Sequence, residues 1–451
     1  MAFEGLIAGS ARAVKAAAGI TGIAGAIVIG EGVASAEVRA CFPNWDALDF
    51  SQLDTSAILL AERPSVSVVR TLLRRAAAAG VRLYLLVENA TRRLELEDVF
   101  DRPLRKLDWT RIQDAISGKR ILITGGGGSI GAQLARRIAA LGPERLALLD
   151  SSEFNLFKIA MELPHATPIL ADIRNEAAMR RWIKAENPDI VFHAAALKQV
   201  PIVELFASEG VLTNICGLRH VVEAAHANNA DVVFLSTDKA VAPSGVMGAT
   251  KRLGELYCHA LDRLGGRRAI PVRLGNVLGS SGSVVPVFES QIAAGGPLTV
   301  TDPAVTRYFM SIPQAAKALM QACAAGLSAD HQRGVVFTID MGDPMPVIDL
   351  ARIMIQLEGL EPDKDVDIVI TGLRPGEKLH EQLLGADEWI EPSPAPDVIA
   401  AASAPRGVAE LREIMDRLAL LARTGAQDEI VAELFAATAA EPIARDQAEA
   451  G

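Results

Sequence analysis

The sequence predicts an α/β protein: a doubly wound parallel sheet with a smaller second domain, preceded by a small N-terminal α/β domain. Three observations carry this. Apolar runs of strand length alternate with segments of helical apolar spacing from Gly118 onward. The stretch GKRILITGGGGSIG, Gly118 to Gly131, sets a glycine loop between the first of these strands and its helix. Asp150 closes the next apolar run, RLALLD, nineteen residues past Gly131.

Residues 1–115 read as the N-terminal domain and its linker. Ala26–Gly30, Ser56–Ala61 and Arg82–Val87 have strand character, and Pro64–Gly80 carries a helical apolar face of Val66, Val69, Leu72, Leu73 and Ala76. Gly19-x-x-Gly22-x-x-Gly25 resembles a second nucleotide loop but precedes its strand, so the loop mechanism fails there. The uncharged run Ala16–Gly30 is about fifteen residues, short of the roughly 20 a spanning helix needs. It reads as a buried strand with its approach; a signal peptide is the competing reading. Glu95–Trp109, charged and irregular, reads as the linker.

Residues 116–290 read as the core. Lys119–Thr124 is a buried strand, and the helix begins at Ser129. The glycines fit two registers, Gly125-x-x-Gly128-x-x-Gly131 and Gly126-x-Gly128-x-x-Gly131. In either, the backbone turns tightly and a helix N-terminus offers free N–H groups to a pyrophosphate. Thr124, Gly125, Gly128, Ser129, Ile130 and Gly131 are therefore candidate dinucleotide contacts, with Asp150 accepting from the adenosine ribose. After a serine-capped helix, Pro168–Asp172 is the third strand, and Asp172-Ile173 borders the adenine. Asp189–Ala194 is the fourth, ending in Ala194-Ala195-Ala196, small enough for a cofactor to lie close. Asn214 begins the next helix, and Asp231–Ser236 is the fifth strand, with Ser236 at its end. Asp150, with no arginine beside it, favours NAD over NADP.

Composition narrows the classes. The chain has 451 residues, half of them hydrophobic, 22% charged, with net charge −10. There is no basic block, so no nucleic-acid partner is expected. The four cysteines form no CxxC pair and the seven histidines show no metal-ligand spacing, so neither a disulfide scaffold nor a metal site is expected.

Chemistry is expected right after the fifth strand, at Ser236-Thr237-Asp238-Lys239-Ala240. Met247-Gly248-Ala249-Thr250-Lys251 opens the following helix. Short-chain dehydrogenases place Tyr-x-x-x-Lys there, one helical turn apart on one face. Met247 occupies the tyrosine position, and a thioether is no general base. Asp238-Lys239 is an ionisable pair that an ordinary reductase does not need.

TGGGGSIG (124–131), DSSEFNL (150–156), HAAALKQVP (193–201), STDKAV (236–241), GATKR (248–252), RLGNVLGSSGSVVPVF (273–288), TRYFM (306–310) and RPGEKLHEQL (374–383) together resemble one family. It is the CapD-like polysaccharide-biosynthesis branch of the extended short-chain dehydrogenases, in particular the UDP-N-acetylglucosamine 4,6-dehydratases. The extra N-terminal domain and the methionine match its long forms. Those usually carry N-terminal membrane helices too; no such run stands here, and a cytoplasmic protein, membrane-associated at most, is expected.

The resemblance implies a Rossmann sheet with NAD and a UDP-sugar. The C4 hydroxyl is oxidised, water leaves from C5 and C6, and the hydride returns to C6. Asp238 is assigned as the acid and Lys239 as the base, with the reverse open. Thr237 holds the C4 oxygen and Lys251 the ribose. Water, Asp238 or Lys251 takes the C4 hydroxyl proton. Lys198, Arg273, Asn276, Ser283, Arg307 and Arg374 are implied for the nucleotide sugar, and residues 291–400 read mainly as a substrate-binding domain interleaved with the core. His380 and Glu381 read as surface. Residues 401–451 read as a helical tail or a packing accessory with a mobile end, and a homo-oligomer is expected by analogy of fold. A 4-epimerase and a catalytically silent regulator are the alternatives.

Overall fold

The computed structural model describes residues 5–17, 23–29, 38–88, 90–100, 107–328, 332–392, 395 and 397–439. The chain divides into two compact units. The smaller comprises Met1–Asp101, Val285–Val305 and Met345–Gly372, and the larger Arg102–Val284, Thr306–Pro344 and Leu373–Gly451. The stretch 291–400 thus contributes to both.

The smaller unit holds strands Gly5–Gly9 (β1), Ile23–Ile29 (β2), Val38–Phe42 (β3), Ala57–Leu60 (β4), Arg82–Val87 (β5) and Ala90–Arg93 (β6). They form a six-stranded sheet in the order β3-β2-β1-β4-β5-β6, parallel except for the β5–β6 hairpin. Helix Ala11–Ala16 (α1) follows β1, and helix Val66–Ala78 (α2) lies where the apolar spacing predicts it. Val69, Leu72, Leu73 and Ala76 of α2 pack with Leu6, Ile58, Leu60 and Leu83 of the sheet.

Two features of this unit escaped the sequence reading. β1 and β3 are short and rich in glycine and alanine or interrupted by charge, so their apolar signal is weak. The linker reading of Glu95–Trp109 is corrected in part. Leu96–Val99 is a helical turn whose Glu95 and Asp98 form a capping box, and Trp109 opens helix Trp109–Ile116. Gly19, Gly22 and most of the apolar approach to β2 lie outside the described residues, as does the chain end from 440 onward.

The strand order of this sheet reverses between β1 and β4, the place where open α/β sheets take ligands. Here that place is filled from within: Ser10 donates to Glu62 through its backbone N–H at 2.8 Å and its hydroxyl at 3.0 Å. A carboxylate of the chain itself thus meets the start of α1.

The larger unit contains strands Arg120–Thr124 (β7), Arg145–Asp150 (β8), Thr167–Leu170 (β9), Ile190–His193 (β10), Asp231–Thr237 (β11), Ala269–Leu274 (β12), Val336–Ile339 (β13), Glu388–Glu391 (β14) and Val398–Ser403 (β15). The nine-stranded sheet runs β14-β15-β13-β12-β11-β10-β7-β8-β9. All neighbours from β9 to β13 are parallel, and β15 and β14 add antiparallel at the edge. This is the doubly wound parallel sheet that the alternating pattern predicts.

Both faces are covered, which is why the strands read as nearly continuous apolar runs. Successive β7 residues point to opposite cores: Ile121 and Ile123 to one, Leu122 to the other. Helix Ser129–Ala139 (α3) follows the glycine loop, helix Glu153–Glu162 (α4) follows β8, and the long helix Val246–Arg263 (α5) follows β11. Helices Val408–Thr424 and Gln427–Thr438 bring Leu411, Leu418, Ile430 and Leu434 into the same core as Leu122 and Phe234. Of the two readings of this segment, these contacts bear out the packing accessory. Among the described residues no helix is long and apolar enough to cross a membrane.

Leu418 is fully buried in that core. Leu418→Ala is expected to destabilise the larger unit by about 2–5 kcal/mol, read as a lowered urea midpoint at unchanged slope.

Candidate active site

β7, β10 and β11 end, and α3 and α5 begin, around a cavity of about 520 Å³. On one side lies the glycine loop. Gly125 has φ +68°, and a Cβ there would stand 2.7 Å from the backbone nitrogen of Ala195. A Cβ on Gly131 would collide with the Gly125 carbonyl oxygen. Only glycine therefore lets strand, turn and helix close this tightly and leaves room for a ligand against the backbone. Gly125, Gly128, Ser129, Ile130 and Gly131 line the cavity, as do Ala194 and Ala196. The first-turn N–H groups of α3 have no intrahelical acceptors, which suits an anionic diphosphate.

Several residues read from the sequence as cofactor contacts lie outside the cavity lining. Asp150 accepts from Gly127 N–H at 3.0 Å and Ser152 N–H at 2.9 Å, so it shapes the loop and retains further lone pairs for a ribose hydroxyl. Thr124 is buried and shares a 2.7 Å hydrogen bond with His193 Nδ1. Asn214 is buried in a π-helical segment, Val211–Gly217. It accepts from Leu197 N–H at 2.8 Å and donates to Leu197 O at 2.9 Å and Thr250 Oγ1 at 3.0 Å. It thereby ties the loop after β10 to α5. Asp172 pairs with Arg174 at 2.9 Å, and the Ile173 carbonyl faces His220 Nδ1. Asp150, Thr124, Asp172, Ile173, Ala195 and Asn214 are not part of the cavity lining.

Opposite the loop stand Ser236, Thr237, Lys239, Met247 and Lys251. Met247 and Lys251 share one face of α5, as their spacing predicts. Lys251 Nζ donates to the Leu235 carbonyl at 3.0 Å and sits 4.8 Å above the Phe234 ring. Burial pushes its ammonium down to about 8, with Glu255 opposing. Asp238 is different: it is fully buried and does not line the cavity. Its Oδ1 accepts from Thr237 Oγ1 at 2.9 Å and from Lys239 Nζ at 2.9 Å. Lys239 Nζ also donates to Asn276 Oδ1 at 3.0 Å. Of this pair, Lys239 is the member presented to a ligand.

The residues read for the nucleotide sugar separate into two groups. Lys198, Asn276, Ser283, Arg307 and Arg374 line the cavity. Lys198 Nζ donates to Ser280 Oγ at 3.1 Å, and the Ser283 hydroxyl is buried without a hydrogen-bond partner among the described residues. Arg307 is bound to the carbonyls of Thr306, Leu379 and Lys378 and to Glu377, whereas the Arg374 side chain is exposed at the rim. Arg273 belongs elsewhere. It has no exposed side-chain surface, pairs with Glu255 and Glu388 at 2.6 Å each, and donates to the Leu383 carbonyl at 3.1 Å. Burial disfavours charge on Glu388, yet the Arg273 and Arg252 guanidinium groups hold its carboxyl down to about 2.

The surface reading of Glu381 is corrected. Its side chain is 3% exposed, lines the cavity, and lies 3.8 Å from both Lys239 Nζ and Lys378 Nζ. His380 is exposed and shares a 2.9 Å hydrogen bond with Thr306. Lys378 also belongs beside the cavity and donates to the Val241 carbonyl at 2.7 Å. The signal for Glu381 was its place in RPGEKLHEQL, but that segment has no helical or strand period from which a facing side could be read.

A family model described as polysaccharide biosynthesis protein matches residues 121–403. The chain belongs to this family. Among curated relatives it is 40% identical over 309 residues to the capsular polysaccharide biosynthesis protein CapD of Staphylococcus aureus, covering 66% of this chain and 51% of that one. It is 42% identical over 305 residues to the probable polysaccharide biosynthesis protein EpsC of Bacillus subtilis, covering 66% and 50%. The chain thus spans about half the length of these relatives. Among solved structures, Pen from Bacillus thuringiensis is 30% identical with a TM-score of 0.56, covering 67% of this chain and 98% of its own. The dTDP-glucose 4,6-dehydratase DesIV of Streptomyces venezuelae, solved with NAD bound, shares the fold at TM-score 0.52 and 23% identity, covering 59% and 88%. The family match encloses every cavity-lining residue named above. Among the described residues of this family member, no cluster of three or more His, Cys, Asp or Glu could hold a metal ion.

Two predictions follow from the buried polar groups. Arg273→Ala leaves Glu255 and Glu388 without that guanidinium, so it is expected to lower stability by about 3–5 kcal/mol, measured by chemical denaturation. Burial, then the Lys251 charge, pushes the His193 imidazole down to about 3 from an ordinary 6.5. Across that window the unfolded chain binds a proton here that the folded chain does not. The contribution is therefore complete above about 6.5 and is lost as pH falls toward 3, by at most ~1.4 kcal/mol per pH unit. Between neutral pH and about pH 4, denaturation of His193→Gln should show a smaller loss of stability than wild type.

Proposed function

We propose that this protein is a nucleotide-sugar 4,6-dehydratase. It converts UDP-N-acetylglucosamine, or a close UDP-sugar, to the 4-keto-6-deoxy product with tightly bound NAD, in the making of a cell-surface polysaccharide. The observation that carries the reading is the Asp238–Lys239 pair at the end of β11. Its lysine faces the same cavity as the glycine loop, Thr237 and Lys251.

The glycine cradle and the start of α3 fit a dinucleotide, since a Cβ at Gly125 or Gly131 would fill that space. Gly125, Gly128, Ser129 and Gly131 would hold the diphosphate, Asp150 the adenosine ribose, and Lys251 the nicotinamide ribose. When bound, NAD supplies the acceptor for the C4 hydride and returns it to C6. The remaining work is proton management by the chain. Lys251, pushed down to about 8, carries a fraction of neutral amine near neutral pH and can take the C4 hydroxyl proton. That is the task a tyrosine at the Met247 position would otherwise perform. Lys239 handles the C5 proton. The departing C6 hydroxyl takes its proton from the Lys239 ammonium formed at C5, with Asp238, whose Oδ1 accepts from both Thr237 and Lys239, as the buried partner that steadies it. Arg374 and Arg307, at the cavity wall, suit the UDP diphosphate.

A 4-epimerase has no use for an acid–base pair at this strand end. It also normally wants the tyrosine, and no tyrosine is among the described residues lining the cavity. Mass spectrometry of UDP-N-acetylglucosamine incubated with the protein and NAD decides between them. The expected product is lighter by one water, and Asp238→Asn and Lys239→Ala should each lose about 10²–10⁴-fold in rate. An isomer of unchanged mass would sink the dehydratase reading in favour of epimerisation.

A further inference from the structure

The Asp238–Lys239 pair continues into a longer chain of charge. Lys239 Nζ lies 2.9 Å from Asp238 Oδ1 on one side and 3.8 Å from Glu381 Oε1 on the other. Glu381 Oε2 lies 3.8 Å from Lys378 Nζ. The two carboxylate side chains are 0% and 3% exposed, and Lys239, at 22%, is the group between them that reaches the cavity. Asp238 Oδ2 and Glu381 Oε2 are both buried without a hydrogen-bond partner among the described residues. A buried carboxylate oxygen left without a donor is costly, and one way to relieve it is to gain a proton.

We propose that Glu381 is a positioning residue that acts through Lys239, by storing the proton Lys239 must give up before it can serve as a base. The inference rests on the dehydratase reading for its purpose, not for its geometry. In the step, Lys239 Nζ gives up its bond to Asn276 and closes the 3.8 Å gap to Glu381 Oε1, an N–H bond of its ammonium breaks, and an O–H bond forms on that oxygen. Two opposite charges become a neutral amine and a neutral carboxylic acid, and no electron changes owner. The amine lone pair then faces the sugar, able to take the C5 proton. Both charges disappear together, so the transfer suits a site in which the acceptor is shut off from water. Asp238 keeps its hydrogen bonds to Thr237 and Lys239 throughout and holds the amine in place.

The inference and its opposite predict opposite signs. If Glu381 merely anchors the ammonium as an ion pair, Glu381→Gln frees the amine. If Glu381 stores the proton, the same substitution leaves Lys239 as an ammonium. Brief acetylation of the purified full chain with acetic anhydride at pH 8, without substrate, reads the free amine on the Lys239 peptide by mass spectrometry. The expected result is labelling several-fold lower in Glu381→Gln than in wild type, with partial recovery in Glu381→Asp. Labelling that rises or stays level overturns the inference. Lys378→Met is the second variant, for use if Glu381→Gln does not fold. It removes the cation that favours a charged Glu381, so Lys239 labelling should rise; a fall overturns the inference equally. In turnover, Glu381→Gln should lose about 10²-fold in kcat at nearly unchanged KM. A wild type that releases no water from any UDP-sugar would defeat the dehydratase reading, and the labelling would still decide the role of Glu381.

Discussion

The arrangement around the cavity depends on Arg273, a guanidinium with no exposed surface, balanced by Glu255 and Glu388. Each partner comes from a different part of the larger unit. Arg273 stands on β12, Glu255 on α5, and Glu388 begins β14. Arg252, on α5 like Glu255, adds bonds to Glu388 at 2.6 Å and to Asp387 at 2.7 Å. Glu255 in turn accepts from Ser236 Oγ at 2.7 Å. The network therefore clamps the end of β11 and the helix that carries Met247 and Lys251 to the segment just beyond Glu381. Such a cluster is poor evidence for stability, because desolvation offsets much of the attraction. Its value here is geometric: elements that carry cavity-lining residues are held at one distance from one another.

How much of this could be read from residue order follows from how local each signal is. The doubly wound sheet was legible because strand length, helix period and the glycine loop are properties of short windows. The second sheet was only half legible. β1 is GLIAG, five residues with too little side chain to show alternation. Within the site, Gly125 to Gly131, Thr237, Lys239 and Lys251 could be placed because they sit at strand ends or helix starts. Arg273 could not. It stands at a strand end too, but its partners lie 18 residues earlier and 115 residues further on, and nothing local reveals a buried carboxylate waiting for it. Glu381 failed in the opposite sense, read as surface because it is charged and lies outside any period. Asp238 was read beside Lys239 as one half of a reacting pair, and only the packing shows that it lies buried behind the cavity wall while Lys239 lines it.

The substitution of methionine for a proton-transferring tyrosine looks like the loss of a function when viewed one residue at a time. Seen with its neighbours, it coincides with a lysine poised near neutrality and a buried carboxylate in reach of another lysine. Acid–base capacity is distributed among several side chains with low accessibility. In the dehydratase proposed above, such a site would depend on the exclusion of water more than on any one group, because each proton must stay within the cluster.

The last two helices have a consequence for how the chain is made. Leu411, Leu418 and Leu434 complete the core that Leu122, Val191 and Phe234 begin. A ribosome releases the glycine loop long before it releases Leu434. Until then the outer sides of Val246–Arg263 and of the helical turns at 207–217, on which these two helices pack, stay uncovered and open to other nascent chains. This core is completed only once Leu434 has been made, so a partly made chain carries an apolar patch that the finished one buries.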